Sequence, residues 1–308
     1  MCGLAGILLH PIERPEADWQ EIRRLFTATL IANEQRGRDA AGVAVIQRSG
    51  DYHLLKQPRP ASELVQMRPY QEILAAVDAD TTCLLGHARL PTKGSPQNNA
   101  NNHPLLVGHT LGIHNGVICN DDELFAICNL PRQAEVDSEI LFRLLDTVPP
   151  LSNDGEYLMQ LRERLTPVEG VFATLSVDLR WPTGLVVLKQ NCPLCVHYEP
   201  RLQALFFSSR YIFLRQAFGR SVVTEALENQ RAFYFDAERL AARGNQPLCS
   251  LELAPPCSGG VCDPAAWGLS PAPAGSVTPP PGACLSLPAP VGSVTPPPGA
   301  CLSLRRGL

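Results

Sequence analysis

The segment VFATLSVDLRWPTGLVVLKQNCPLCVHYEPRLQALFFSS, residues 171–209, decides the fold class. It contains four short apolar runs, VFATLSV, GLVVLK, CVHYE and ALFFSS, separated by turn segments such as DLRWPTG and EPRLQ. No helical pattern lies between these runs. Consecutive strands are therefore joined by turns, as in antiparallel hairpins, and not by the crossover helices of a parallel sheet.

Strand and helix patterns elsewhere extend this prediction. A period of 3.6 in WQEIRRLFTATLI (19–31) predicts a helix with one buried face, and further helices are expected at SEILFRLL (138–145) and at about 209–217. Two groups of strands with helices around them are typical of an α+β fold made of two stacked antiparallel sheets flanked by helices. The strand-like runs before residue 171 are LAGILL (4–9), GVAVIQ (42–47), YHLLK (52–56), CLLGHARL (83–90) and TLGIH (110–114).

Composition excludes several classes of partner. The chain has 308 residues, a formal net charge of -4 and 45% hydrophobic residues. Its 26 basic and 30 acidic residues form no long run of one sign, so we expect neither nucleic acid nor an anionic membrane as a partner. No apolar run approaches the roughly 20 residues that span a bilayer. We expect a cytoplasmic protein whose 11 cysteines are mostly reduced.

The character of the chain changes near residue 240. We predict one domain over residues 2–240 and a disordered tail over 241–308, which is rich in Pro, Gly, Ser and Ala. The tail repeats GSVTPPPGACLSL at 275–287 and 292–304. Three consecutive prolines favour extended polyproline II, and two copies are too few for a solenoid. An SH3-type ligand and a zinc site on the tail cysteines are the alternatives.

Another cysteine pair lies within the domain, in the segment NCPLC (191–195). Its CxxC spacing fits a redox or zinc site, and it also fits a plain turn between strands. Pro193 and the lack of a second pair favour the turn. We therefore expect no metal site in the domain.

Polar motifs follow several apolar runs, at positions where strands pass into loops and functional side chains are commonly presented. They are RGRDAAG (36–42), GHARLPTKG (86–94) and HNG (114–116), and MCGLAGILLH (1–10) places a thiol at position 2. Each is ambiguous alone. Arg89 fits a surface charge, Asn115-Gly116 a hairpin turn and Asp137 a helix N-cap.

Taken together, the motifs carry a resemblance. The order MCGLAGI, RGRDAAGVAV, GHARLPTKG, NNHPL, GIHNGVICN and VDSEILFRLL resembles the glutaminase domain of class II glutamine amidotransferases, an N-terminal-nucleophile hydrolase family. The similarity covers roughly residues 2–225 and includes weaker matches in the later segments NCPLCVHY and FFSSRYIFL. It implies a four-layer αββα sandwich, which agrees with the strand pattern.

The resemblance also implies a mechanism. Cys2, once Met1 is removed, would attack the side-chain amide of glutamine, and its own α-amine would act as the base. An α-amine has a pKa of roughly 7.7 to 8.0, so a useful fraction is unprotonated near neutral pH. Asn115, through its side-chain amide, and Gly116, through its backbone N–H, would stabilise the oxyanion.

Recognition of free glutamine is implied for three further residues. Arg89 would bind the α-carboxylate, Asp137 would accept from the α-ammonium group, and Thr92 would add a hydroxyl nearby. Arg36 and Gly37 would support the loop behind the nucleophile. No cofactor or metal is implied.

The glutamine-covering loop departs from the family pattern. Leu90 stands where relatives often have an aromatic residue, and Lys93 where they often have a histidine. Three functions remain open: a glutaminase that passes ammonia to a separate synthase partner, an amidohydrolase of another γ-glutamyl or amide compound, and a non-catalytic relative. A cysteine hydrolase with His87 or His114 as its base is the alternative mechanism.

Overall fold

Two antiparallel sheets lie face to face in the computed structural model, which describes residues 1–151, 153–253 and 302–304. The first sheet contains eight strands: β1 (Gly3–Leu9), β2 (Ala40–Gln47), β3 (Tyr52–Gln57), β4 (Thr81–Arg89), β9 (Cys195–Glu199), β10 (Ala204–Ser208), β11 (Glu225–Ala226) and β14 (Leu302–Leu304). The second contains six: β5 (Leu105–Val107), β6 (Thr110–Ile118), β7 (Gly170–Asp178), β8 (Gly184–Gln190), β12 (Arg231–Asp236) and β13 (Cys249–Glu252).

The strand orders are β11-β9-β10-β1-β4-β2-β3-β14 and β13-β12-β8-β7-β6-β5. Every ladder in both sheets is antiparallel, as the hairpin-like spacing of residues 171–209 predicts. The predicted runs before residue 171 form β1, β2, β3, β4 and β6.

Helices cover both outer faces and complete the four layers. Those on the eight-stranded sheet are α1 (Glu16–Asn33), α2 (Ala61–Leu64), α3 (Arg68–Ala75) and α7 (Tyr211–Phe218). Those on the six-stranded sheet are α4 (Asp121–Cys128), α5 (Ser138–Asp146) and α6 (Asp154–Leu165), and α8 (Leu240–Arg243) follows β12. The predicted αββα sandwich is confirmed. None of the helices in the described ranges combines the length and the apolar character needed to cross a membrane.

Burial on both faces explains why β1 reads as a continuous apolar run. Leu4 and Leu8 pack between the sheets in a cluster that includes Leu175. Ile7 and Leu9 point the opposite way, into the cluster beneath α1. Each buried side chain of this size contributes roughly 1.5 to 3 kcal/mol through the hydrophobic effect. The strand that follows Cys2 is thus fixed at the centre of the molecule.

Two features of the fold differ from the sequence predictions. The helix α6 was not predicted, although Asn153 caps its N-terminus by accepting from the main-chain N–H groups of Gly155 and Glu156. The strand β13 and the buried Leu253 lie beyond residue 240, where the sequence placed the domain boundary. Described strands therefore extend past residue 240, because β13 completes the edge of the six-stranded sheet and β14 pairs with β3 in the other. The first repeat copy, the prolines of the second copy and the cysteines considered for zinc, Cys257, Cys262, Cys284 and Cys301, fall outside the described residues.

Candidate active site

The N-terminus and two polar motifs meet at one end of the sandwich through strand pairing. β1 starts directly after Cys2 and pairs with β4 in a register that places Gly3 opposite Ala88. Arg89, the last residue of β4, therefore lies beside Cys2. β2 pairs with the other side of β4, with Ala40 opposite Arg89, and brings in the segment RGRD that precedes it.

Cys2 is half-buried, and its thiol donates a hydrogen bond to the carbonyl oxygen of Leu90 over 3.4 Å. Burial raises the pKa of this thiol, and Asp137 adds to the rise, whereas the hydrogen bond, the N-terminal ammonium group and Arg89 oppose it. The main-chain carbonyl oxygen of Cys2 accepts from Nε of Arg36 over 2.6 Å. The sulfur is thus held in place as a thiol that needs a base to become a nucleophile.

Met1 lies outside the packed core. Its side chain is 58% exposed, and β1 begins two residues later at Gly3. Removal of Met1 would therefore expose the amine of Cys2 without leaving a cavity.

Asn115 and Gly116 lie inside strand β6, where they pair with Ala173 and Phe172 of β7. Gly116 has a φ of 137°, and a Cβ there would lie 1.9 Å from the carbonyl oxygen of Val171. Only glycine fits this conformation and this close approach. The hairpin-turn interpretation of Asn115-Gly116 is therefore wrong, because the strand continues through both residues.

The side chain of Asn115 faces a second thiol. Its Nδ2 donates to Sγ of Cys192 over 3.0 Å, while its Oδ1 is buried and has no partner among the described residues. Burial raises the pKa of Cys192 to about 11, and the negative charge that Cys2 carries when ionised raises it further, whereas Arg36 lowers it. Arg36, which binds the carbonyl oxygen of Cys2, also interacts with the charge of Cys192, so both sulfurs lie near this arginine. Asn115 is hydrogen-bonded to one of them.

Arg89 is buried, with 2% of its surface exposed. Its Nη1 donates to Oδ1 of Asn102 over 2.7 Å, and its Nη2 donates to the carbonyl oxygens of Lys93 and Gly94, each over 2.8 Å. Burial lowers its pKa from the ordinary value, whereas Cys2 and Asp137 raise it. Arg89 is therefore not a surface charge; it anchors the loop that follows β4.

Asp137 is buried at the N-terminus of α5 and serves as its cap. Its Oδ1 accepts from the main-chain N–H of Ser138 over 2.9 Å, and its Oδ2 accepts from that of Ile118 over 2.7 Å. The second bond ties α5 to the end of β6, two residues after Gly116. The N-cap interpretation is thus correct, and the charge of the same carboxylate also acts on Cys2 and Arg89.

The loop after β4 is held to α4 by Lys93. Its Nζ lies 2.7 Å from Oδ2 of Asp121 and 2.9 Å from Oδ1 of Asp122, and Arg132 binds the same two carboxylates. Lys93, one of the departures from the family pattern, therefore makes a fixed contact. Leu90 is exposed, and so is Thr92, whose hydroxyl bonds to no other described group.

The segment that carries Arg36 and Gly37 packs directly on the end of β4. A Cβ on Gly37 would lie 2.3 Å from the carbonyl carbon of Arg89 and 2.4 Å from the nitrogen of Leu90. The backbone of Gly37 is extended, so this glycine is required by close packing and not by an unusual φ. The segment thus lies against the end of β4, and its supporting role stays a prediction.

Three histidines lie between the sheets near the site. The rings of His87 and His103 are 4.5 Å apart, and those of His103 and His114 are 6.2 Å apart. Burial lowers the pKa of His87 to about 3, and the pKa values of the other two are also lowered by burial. Within the described ranges no histidine ring bonds to the sulfur of Cys2, and imidazoles this weakly basic are poor candidates for a general base.

The cysteines of NCPLC face different layers. Cys192 belongs to the cluster between the sheets, whereas Cys195 belongs to the cluster beneath α1 and donates to the carbonyl oxygen of Ser208. Both are free thiols; Cys192 lies in the connection between β8 and β9, and Cys195 begins β9, so the segment is a turn between strands. No cluster suited to a metal ion occurs among the residues that the structure describes. The sequence analysis missed the place of Cys192 in the site, and only its position directly after a buried strand signals it.

Comparison with known proteins gives relatives of two kinds. No family model matches the chain. A 7-cyano-7-deazaguanine synthase from Saccharolobus solfataricus is 29% identical over 213 residues, which cover 68% of this chain and 43% of the relative. A glutamine–fructose-6-phosphate aminotransferase (isomerizing) from Gluconobacter oxydans is 33% identical over 201 residues, which cover 64% of this chain and 30% of the relative.

Solved structures support the same fold. The glutamine phosphoribosylpyrophosphate amidotransferase from B. subtilis matches with a TM-score of 0.60 and 18% identity, over 82% of this chain and 49% of that one. This chain spans less than half the length of each of these relatives. The resemblance to class II glutamine amidotransferase domains and the sandwich fold are confirmed.

Proposed function

We propose that this chain contains a glutaminase domain of the class II amidotransferase type, which hydrolyses glutamine to glutamate and ammonia through a thioester on Cys2. One observation carries the proposal. Cys2 lies at one end of the sandwich with Arg89 and Asp137, whose opposite charges both act on its thiol. A cation and an anion beside a nucleophile complement the α-carboxylate and α-ammonium groups of a free amino acid.

The first step forms the thioester. After removal of Met1, the free α-amine of Cys2 takes the thiol proton, and the sulfur attacks the side-chain carbonyl carbon of glutamine. The C–N bond of the resulting tetrahedral intermediate breaks, and the α-ammonium group returns its proton to the leaving ammonia. Water, deprotonated by the same amine, then attacks the thioester and releases glutamate and the thiol.

The oxyanion of each tetrahedral intermediate needs donors that are in place beforehand. Asn115, whose side-chain amide contacts Cys192, and Gly116, with its fixed main chain, are the proposed donors. Loss of one such donor typically costs about 3 to 4 kcal/mol in the transition state.

Glutamine recognition is assigned to groups that retain bonding capacity. Arg89 uses three of the five N–H donors of a guanidinium group on Asn102 and the loop, so two remain for a carboxylate. Each oxygen of Asp137 accepts one main-chain N–H, which leaves lone pairs for an ammonium group. Thr92, whose hydroxyl bonds to no described group, follows Arg89 on the loop after β4. It is the third residue proposed to bind glutamine.

Similar proteins of this chain include a synthase and an aminotransferase, each longer than the region that matches. We propose that the ammonia is passed to an acceptor step on a synthase subunit or a linked domain. The hydrolysis itself uses no cofactor. A cytoplasmic location fits the free thiols of the described cysteines.

The test uses protein with an untouched N-terminus and a C-terminal tag. Intact mass should show that Met1 is removed, and glutamine should yield ammonia and glutamate in equal amounts. Cys2→Ala should abolish both products, whereas Cys119→Ala, which changes an exposed free cysteine, should not. Hydrolysis of another γ-glutamyl amide but not of glutamine would contradict the proposed substrate.

A further inference from the structure

The amide of Asn115 raises a question of orientation. A side-chain amide has a donor end and an acceptor end of nearly equal size, and a half-turn exchanges them. Asn115 is fully buried, so water does not choose between the two orientations. If Oδ1 faced the reacting carbonyl oxygen, it would repel the oxyanion that Nδ2 is meant to stabilise.

One contact accompanies the orientation that the structure shows. The single hydrogen bond that the structure gives to the side chain of Asn115 runs from Nδ2 to Sγ of Cys192, over 3.0 Å, and Oδ1 has no partner in the described ranges. Nδ2 carries two hydrogens. One can bind the sulfur while the other remains for the substrate.

The surroundings keep this sulfur in place as an acceptor. Cys192 is buried, with 1% of its surface exposed, and packs in the cluster between the sheets. It follows Asn191, whose main-chain N–H donates to Oδ1 of Asn229 over 2.7 Å. Because Asn191 is fixed by this bond, the position of the neighbouring thiol is fixed by both packing and main-chain geometry.

We propose that Cys192 is a positioning residue for the oxyanion site, which holds the Nδ2 group of Asn115 towards Cys2. This inference rests on the proposed glutaminase function. The oxyanion exists in the transition state and not in bound glutamine, so loss of the contact lowers kcat and leaves KM nearly unchanged.

The kinetic test compares substitutions at two cysteines of one motif. Cys192→Ala removes the acceptor and should lower kcat at least about tenfold. This loss is smaller than the loss of about 100-fold or more that follows removal of a whole oxyanion donor. Cys192→Ser keeps an acceptor and should recover most of kcat. Cys195→Ala, a buried thiol that faces another layer, should leave kcat unchanged. Equal loss of kcat in the Ser and Ala variants would overturn the proposal.

A double-mutant cycle tests whether Cys192 acts through Asn115. In an Asn115→Ala background, Cys192→Ala should have no further effect on kcat, because the group that it positions is absent. Independent, additive losses of kcat would overturn the proposal. A role in packing alone would lower the melting temperature of the Ala and Ser variants without this pattern.

A spectroscopic readout separates this inference from the proposed function. In the ¹H–¹⁵N spectrum of the wild-type protein, the side-chain amide of Asn115 should give one sharp pair of signals. Cys192→Ala should shift, broaden or double this pair, and Cys192→Ser should not broaden or double it. An Asn115 signal unchanged in Cys192→Ala would overturn the positioning role. A wild-type protein that shows this pattern but does not hydrolyse glutamine would refute the proposed function alone.

Discussion

The Nε–H group of Arg36 donates a hydrogen bond to the main-chain carbonyl oxygen of Cys2 over 2.6 Å. Arg36 is buried, and its Nη2 has no partner among the described residues. Its charge also interacts favourably with the ionised forms of Cys2 and Cys192. A single arginine thus fixes the second residue of the chain by its backbone and leaves the α-amine and the thiol of that residue for chemistry.

Arg36→Ala should lower kcat/KM for glutamine about 10- to 100-fold, because a charge-assisted hydrogen bond is worth about 1.5 to 3 kcal/mol. Steady-state kinetics and the melting temperature measure the effect. Arg38→Ala is the matched control, since Arg38 is an exposed arginine that pairs with Glu34. Equal kinetics in the two variants would contradict the role given to Arg36.

Asp137→Asn should raise KM for glutamine about 10- to 100-fold, because the neutral amide loses the charge that faces the α-ammonium group. It also alters the cap of α5, which costs up to about 1 kcal/mol of stability. Asp146→Asn controls for the second effect, since Asp146 ends the same helix and accepts from the main-chain N–H of His109. An unchanged KM in Asp137→Asn would remove Asp137 from the binding site.

The sequence predicted the layers well because strand and helix periodicity reports burial directly. The antiparallel ladders and the helices α1, α5 and α7 follow from local patterns, whereas the four-layer αββα order was implied by the family resemblance. The helix α6 was missed because most of its residues are polar and its apolar positions are few. Its buried face consists of Tyr157, Leu158, Leu161 and Leu165. The end of the domain was misplaced because β13 is a four-residue edge strand, too short for a periodic signal.

The candidate site was only partly predictable. Motif order brought together Cys2, Arg89 and Asp137, whose roles need particular residue types. The contact between Asn115 and Cys192 joins two segments that are 77 positions apart in the sequence, and no local pattern encodes how they pack. Asn115-Gly116 is typical of a hairpin turn by local statistics, and the pairing of β6 with β7 overrides that preference.

Acid should destabilise the protein through its buried histidines. The unfolded chain binds protons on histidine below about pH 6.5, whereas burial lowers the folded pKa of His87 to about 3. The unfolded state therefore binds more protons, and the free energy of unfolding falls as the pH falls from about 6.5 towards 3. His87 alone should cost about 2 kcal/mol at pH 5.

Urea unfolding at pH 8, 7, 6 and 5 measures this loss of stability. NMR titration of the ring resonances provides the control, since the ring of His87 should not titrate between pH 8 and 5 in the folded protein. Three charged groups act on the buried histidines. Arg89 and Lys56 oppose protonation of His103, and Asp137 favours protonation of His114. Constant stability between pH 7 and 5 would contradict the prediction.

Truncation after residue 253 should be tolerated better than truncation after residue 244. The shorter chain loses β13 and the buried Leu253, whose N–H donates to the carbonyl oxygen of Gln230 over 2.8 Å. Burial of such a side chain is worth about 2 kcal/mol, so the melting temperature should drop by about 4 to 8 °C. Thermal unfolding of both chains measures this, and equal melting temperatures would show that β13 adds nothing to the domain.

The central claim is that Cys2 acts as nucleophile and base only when it is the first residue. The most direct measurement compares glutamine hydrolysis by three proteins: one with Met1 removed and a C-terminal tag, one with an uncleaved N-terminal extension, and Cys2→Ala. An amide nitrogen has no usable lone pair for proton transfer, so we expect the extended protein to be as inactive as Cys2→Ala and the first protein to be fully active. Substantial hydrolysis by protein whose intact mass shows Met1 or the extension retained would contradict this mechanism.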